Sequence, residues 1–180
     1  MPLHRPLKKN REAGFFDAEQ LKFGRPAYFF VLNTRHLHHL VKKRDMDVKA
    51  LDKALQEIAI TRNELKKIDY NNPKYDELEE QLHDLEDSFH VKFGDPLEEI
   101  LQEVHDKFCP DSDVLYPIAY LAKSYEINDK NEFSAAPNEG VFVEMDNYPG
   151  KESKLVIVPN PTRIVLNIGK DKQEIVWTAK

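Results

Sequence analysis

The chain has 180 residues, 41% of them apolar and 32% charged, with one cysteine and a formal net charge of −6. That length suits one domain, or one domain with an appendage, and patterned apolar runs exclude full disorder. The lone Cys109 excludes an intrachain disulfide and a multi-cysteine zinc site, and no run approaches the ~20 apolar residues of a membrane-spanning helix.

Charge is placed unevenly. Residues 1–44 carry ten Lys and Arg against three Asp and Glu, a net of +7. Residues 45–112 carry eight against nineteen, a net of −11, and residues 113–180 eight against ten. A basic head beside an acidic middle points to contact surfaces, within or between molecules, rather than to a reaction. The overall acidity argues against a general nucleic-acid binder and leaves room for a local basic patch.

Residues 1–14 are polar and basic and read as a flexible arm without the apolar core of a secretory signal. Residues 15–127 read as a helical body. Asp17 suits a cap and Gln20 completes a capping box, Phe16 and Leu21 form a staple, and Gly24 ends this short helix. Ala27–Leu32 is a continuous apolar run that reads as a buried strand, with a helix running on into 34–44 as the alternative. Thr34–Arg44 carries Leu37, Leu40 and Val41 on one stripe and reads as a helix.

The middle of the chain carries the strongest periodicity. Val48, Leu51, Leu55, Ile58 and Leu65 recur at three- and four-residue steps interrupted by Arg62. Tyr75, Leu78, Leu82, Leu85 and Phe89 do likewise. Both segments are amphipathic helices with one apolar seam, in the manner of a coiled coil. The short connection around Asp69–Pro73 makes them antiparallel, so residues 47–93 form a hairpin, with Asn72 as cap and Pro73 at the first helical position. Gly94, Asp95 and Pro96 predict a break there and a new helix over 95–108. A buried helix is expected over 114–125. Residues 128–139 read as a linker or loop.

Residues 140–180 are expected to form an antiparallel β-region packed on the helices. The runs are Val141–Met145, Leu155–Val158, Arg163–Ile168 and Glu174–Thr178, with turns at Asn160-Pro161-Thr162 and Gly169-Lys170-Asp171. The last three are apolar on consecutive residues, so both faces of this meander need cover. The chain's helices supply one cover, and the N-terminal segment or a second copy the other. A homodimer through the β-region follows as an expectation.

Four side chains have the spacing of a metal stripe: Glu79, His83, Glu86 and His90, on one side of the second hairpin helix. They lie beside the apolar seam, not in it, and the first hairpin helix offers no histidine, so a solvated acidic face is the stronger reading. Arg35, His36, His39, Lys42, Lys43 and Arg44 form the densest basic cluster and could contact phosphate or an acidic partner. Cys109 follows His105 by four residues, but a thiolate is disfavoured at a helix C-terminus, and an inert buried cysteine is expected. Glu144 and Asp146 form a weakly specific acid pair after a strand. No phosphate-cradling loop, zinc-protease or hydrolase motif occurs, and no cofactor is expected.

The expected fold is therefore α+β, an antiparallel helical hairpin with a small C-terminal β-meander. The expected function is non-catalytic: a cytoplasmic, membrane-free protein that binds another protein through the charged hairpin and the β surface. Nucleic-acid binding through 35–44 and the arm, and metal-dependent catalysis on the Glu/His stripe, are the rival readings.

Overall fold

The structure is a computed structural model that describes residues 46–180. The expected elements upstream, including the run Ala27–Leu32 and the basic cluster at 35–44, lie outside the described residues.

Helix α1 spans Val48–Lys67. Asp47 caps it, one carboxylate oxygen accepting the backbone N–H groups of Lys49 and Ala50, each at 3.0 Å. That satisfies two of the donors a helix start leaves unpaired. Leu51, Leu55 and Ile58 are buried, as their spacing requires. Lys66 and Lys67 occupy the last turn, where positive charge suits the helix dipole.

Helix α2 runs from Tyr75 to Phe108 without interruption. It starts two residues later than the cap residue suggests. Asn72 instead uses its side-chain oxygen on the Lys74 N–H at 3.0 Å and its carbonyl on the Tyr75 N–H at 2.9 Å. The break expected at Gly94-Asp95-Pro96 does not occur, and 75–108 is one helix rather than two. The physical reason is burial on both sides of the proline. Phe89 and Phe93 before it, and Leu97, Leu101 and Val104 after it, all enter one core. Burying each such side chain contributes about 1.5–3 kcal/mol, which together exceeds the ~3 kcal/mol that an internal proline costs.

The segment 114–125 is not a helix. It is an extended strap with one short 3₁₀ turn, Pro117–Tyr120. Tyr116 has ψ 140°, the extended conformation favoured before proline. Its central part is sandwiched: Tyr120, Leu121 and Ala122 are buried, and Leu121 bridges Ile157 of the sheet in parallel. Burial on both sides gives a strap the same residue content as a core helix.

The stretch expected as a linker, 128–139, holds the turn and second strand of a small hairpin, β1 (Glu126–Ile127) paired with β2 (Phe133–Ser134). Asn128 closes its turn by accepting the N–H groups of Lys130 and Glu132. Strands β3 (Val141–Val143), β4 (Ser153–Val158), β5 (Arg163–Ile168) and β6 (Lys172–Thr178) then form an antiparallel sheet in the order β3-β4-β5-β6. The register sets Leu155 opposite Leu166 and Val156 opposite Val165. Gly140, at φ 99°, lets the chain enter β3 close against β4; a Cβ there would sit 2.2 Å from the Leu155 carbonyl oxygen.

Both faces of the central strands β4 and β5 are covered by the chain itself. Leu155, Ile157, Ile164 and Leu166 join Leu51, Leu55, Phe89 and Leu97 in the larger core. On the opposite face Val156, Val158 and Val165 pack with Tyr125, Phe133, Ala122 and Ala59. The second cover comes from residues 122–135, so the face that suggested a homodimer through the β-region is already occupied at its centre. A lone aromatic in a polar stretch, Phe133, does much of this.

Candidate functional site

The hairpin is the feature that the rest of the fold displays. Its base is set into the core, and toward its tip no residue from 62 to 88 is fully buried. Leu65, Leu78, Leu82 and Leu85 keep the apolar spacing but are only half-buried. Ile60 and Tyr70 are 42% and 74% exposed. Two helices bury only one side of each seam against the other. The remaining side needs a third layer, which the sheet and strap provide at the base.

Three polar locks hold the hairpin's direction. Arg62 sends Nε and Nη2 to one oxygen of Glu86, at 3.0 and 2.6 Å, and Nη1 to the carbonyls of Leu121 and Ala122, at 3.2 and 2.8 Å. One guanidinium thus joins α1, α2 and the strap. Asn63 pairs with both backbone groups of Tyr125, donating to its carbonyl at 2.8 Å and accepting its N–H at 2.9 Å. Asp52 accepts the Asn160 N–H at 2.8 Å and the Thr162 hydroxyl at 2.6 Å on one oxygen, and the Gln56 amide at 2.7 Å on the other. This ties the base of α1 to the β4–β5 turn.

A fourth lock closes the end of α2. His105 is buried, with Nδ1 at 3.0 Å from the Ser112 carbonyl and Nε2 at 2.9 Å from the Tyr120 hydroxyl. A carbonyl only accepts, so Nδ1 carries the hydrogen, and in the neutral ring Nε2 accepts from Tyr120. The Tyr120 oxygen in turn accepts the Leu115 N–H at 3.1 Å. Every polar group of this set has a partner.

The expected site residues are dispersed among these roles. Glu86 is engaged by Arg62. His83 lies 3.4 Å from Asp87 on the exposed surface. His90 meets Tyr116 edge-on, ring centroids 5.5 Å apart, and Glu79 is exposed. Among the described residues no group of three or more His, Cys, Asp or Glu side chains is placed to hold a metal ion. Arg35, His36, His39, Lys42, Lys43 and Arg44 lie outside the described residues. Glu144 and Asp146 are exposed. Cys109 is buried, and burial pushes its thiol up to about 11. His105 bonds to Tyr120 and Ser112 rather than activating it.

Arg62, Asn63, Asp52 and Tyr120 were not singled out as functional residues by sequence. The one available signal was Arg62, a cation interrupting an otherwise regular apolar seam. No helix among the described residues is long and apolar enough to cross a membrane. Comparison with protein-family models, with curated proteins and with solved structures found no match.

Proposed function

We propose that this protein is a non-catalytic, cytoplasmic interaction module that binds another protein through its charged helical hairpin, with the β surface as a second contact. The observation that carries this reading is the contrast along the hairpin. Asp52 near its base and Arg62 and Asn63 farther along α1 lock it to the body, while toward its tip Leu65, Leu78 and Leu82 form a half-covered seam. A helix held firmly to the body and a half-covered apolar seam suit presentation to a partner. Leu82 is bordered by Asp76, Glu79, Glu80 and Asp84, which form an acidic margin for a basic surface. The β surface contributes Phe142 on β3 and Ile175 on β6, 54% and 63% exposed, at the two edges of one sheet face.

Site-specific photo-crosslinking from position 70 at the hairpin tip, and from position 151 on the body as control, tests the reading in cells. One protein should be captured from position 70 alone, and Leu82→Glu should abolish that capture without altering the circular dichroism spectrum. Identical products from both positions, or capture indifferent to Leu82→Glu, would count against the hairpin as the binding element.

A further inference from the structure

We infer that the groove between α1 and α2 is closed by the same groove of a second copy of this chain, an inference that rests on the hairpin being the binding element. The groove runs along the base half of the hairpin. Ala50 and Ala54 form one wall, Leu85, Phe89 and Phe93 the other, and Lys53, Glu57, Ser88 and Lys92 lie at its edges. Small residues on one wall let another helix approach closely, and the aromatic wall supplies the apolar contact. Such a face suits a second helical hairpin laid against it.

Charge selects which one. On α2, Asp84, Ser88 and Lys92 form one row at four-residue spacing. On α1, Lys53 and Glu57 form another. In both rows the positive end points to the base and the negative end to the tip. The midpoint of the first row is Ser88, and the midpoint of the second lies level with it, because the antiparallel lining runs from Ala50 and Phe93 at one end to Glu57 and Leu85 at the other.

A two-fold axis perpendicular to the helices through that level reverses each row upon itself. Lys92 then faces Asp84 of the second copy, and Lys53 faces Glu57 of the second copy, each pair occurring twice. The exposed Ile60 comes level with Ala50 of the second copy, a large side chain opposite a small one. The surface is thus self-complementary in charge, which is the condition for an isologous dimer. An axis parallel to the helices would instead set Lys53 and Lys92 against their own kind.

Among the described residues neither Asp84 nor Lys92 makes an ion pair, whereas Lys53 and Glu57 already pair within α1 at 3.6 Å. The α2 row therefore carries the test. Sedimentation velocity of the full chain from about 1 to 100 μM should show a concentration-dependent dimer that weakens with added salt. Lys92→Glu alone and Asp84→Lys alone should each weaken dimerisation by about tenfold or more, since each creates two like-charge contacts. The double variant Lys92→Glu with Asp84→Lys restores opposite charges and should recover most of the affinity. Ser88→Arg, at the axis, should dissociate the dimer. All three positions are exposed, so unchanged thermal melts under dissociating conditions check folding. A parent that stays monomeric throughout, or a dimer indifferent to Ser88→Arg and without recovery in the double variant, overturns the inference. A monomer that still loses its crosslinked partner on Leu82→Glu would defeat the dimer while leaving the proposed function standing.

Discussion

Removing one oxygen atom, in Tyr120→Phe, isolates the buried lock at the end of α2. The ring keeps its place against His105, 5.9 Å between centroids at 86°. What is lost is the hydrogen bond to His105 Nε2 and the acceptor for the Leu115 N–H. His105 is 1% exposed and Tyr120 0%, so water does not replace the hydroxyl without opening the strap. A buried polar group left unpaired costs about 1–3 kcal/mol, and two are created here, one of them in the less buried strap, so a loss of about 2–4 kcal/mol is expected. For a chain of this size that lowers the melting temperature by roughly 5–15 °C. Urea unfolding of parent and variant measures the loss, and hydrogen exchange at the Leu115 amide reports where it falls. A midpoint within about 0.5 kcal/mol of the parent, together with unchanged protection at Leu115, would refute the hydrogen-bond assignment; such a change is the size of an ordinary surface substitution.

The gradient of burial along the hairpin predicts that Leu55→Ala costs about 2–5 kcal/mol while Leu82→Ala costs roughly 1 kcal/mol, because Leu55 is 1% exposed and Leu82 only half-buried; equal urea midpoints for the two would show the hairpin is supported along its whole length. Asp52→Ala should destabilise by about 1.5–3 kcal/mol, and Asp52→Asn by less, since the amide oxygen still accepts the Asn160 and Thr162 bonds and only the one from Gln56 is lost. Cys109 in the folded chain titrates near 11, above its ordinary value of 9.0, because burial disfavours the thiolate. The folded state holds that proton more tightly, so its contribution is full below pH 9 and is lost as pH rises toward 11, the sense in which alkali should destabilise the parent more than Cys109→Ala. Tyr125, pushed up to about 12 by burial, should be among the last tyrosines to ionise in an ultraviolet titration.

The α+β class, the antiparallel hairpin and the C-terminal meander were legible in the sequence because each rests on a local rule. Leu51, Leu55 and Ile58 repeat with the helical period, the short connection at Asp69–Pro73 turns the second helix back, and the turn residues at 160–162 and 169–171 bound short β-rich runs. The candidate site was less legible. The spacing of Glu79, His83, Glu86 and His90 puts them on one side of a helix, but spacing does not say what faces it, and Arg62 claims Glu86 from 24 residues away. Tertiary structure alone decided three further points. Pro96 stays inside α2 because the core is occupied on both sides of it. Residues 114–125 are a strap because Tyr120, Leu121 and Ala122 are buried between the helices and the sheet. Tyr125 and Phe133 cover the second sheet face because the strap delivers the first there and the β1–β2 hairpin the second. In each case local propensity spoke for a break, a helix or a loop, and burial of distant apolar surface outweighed it, an energy that no window of neighbouring residues contains.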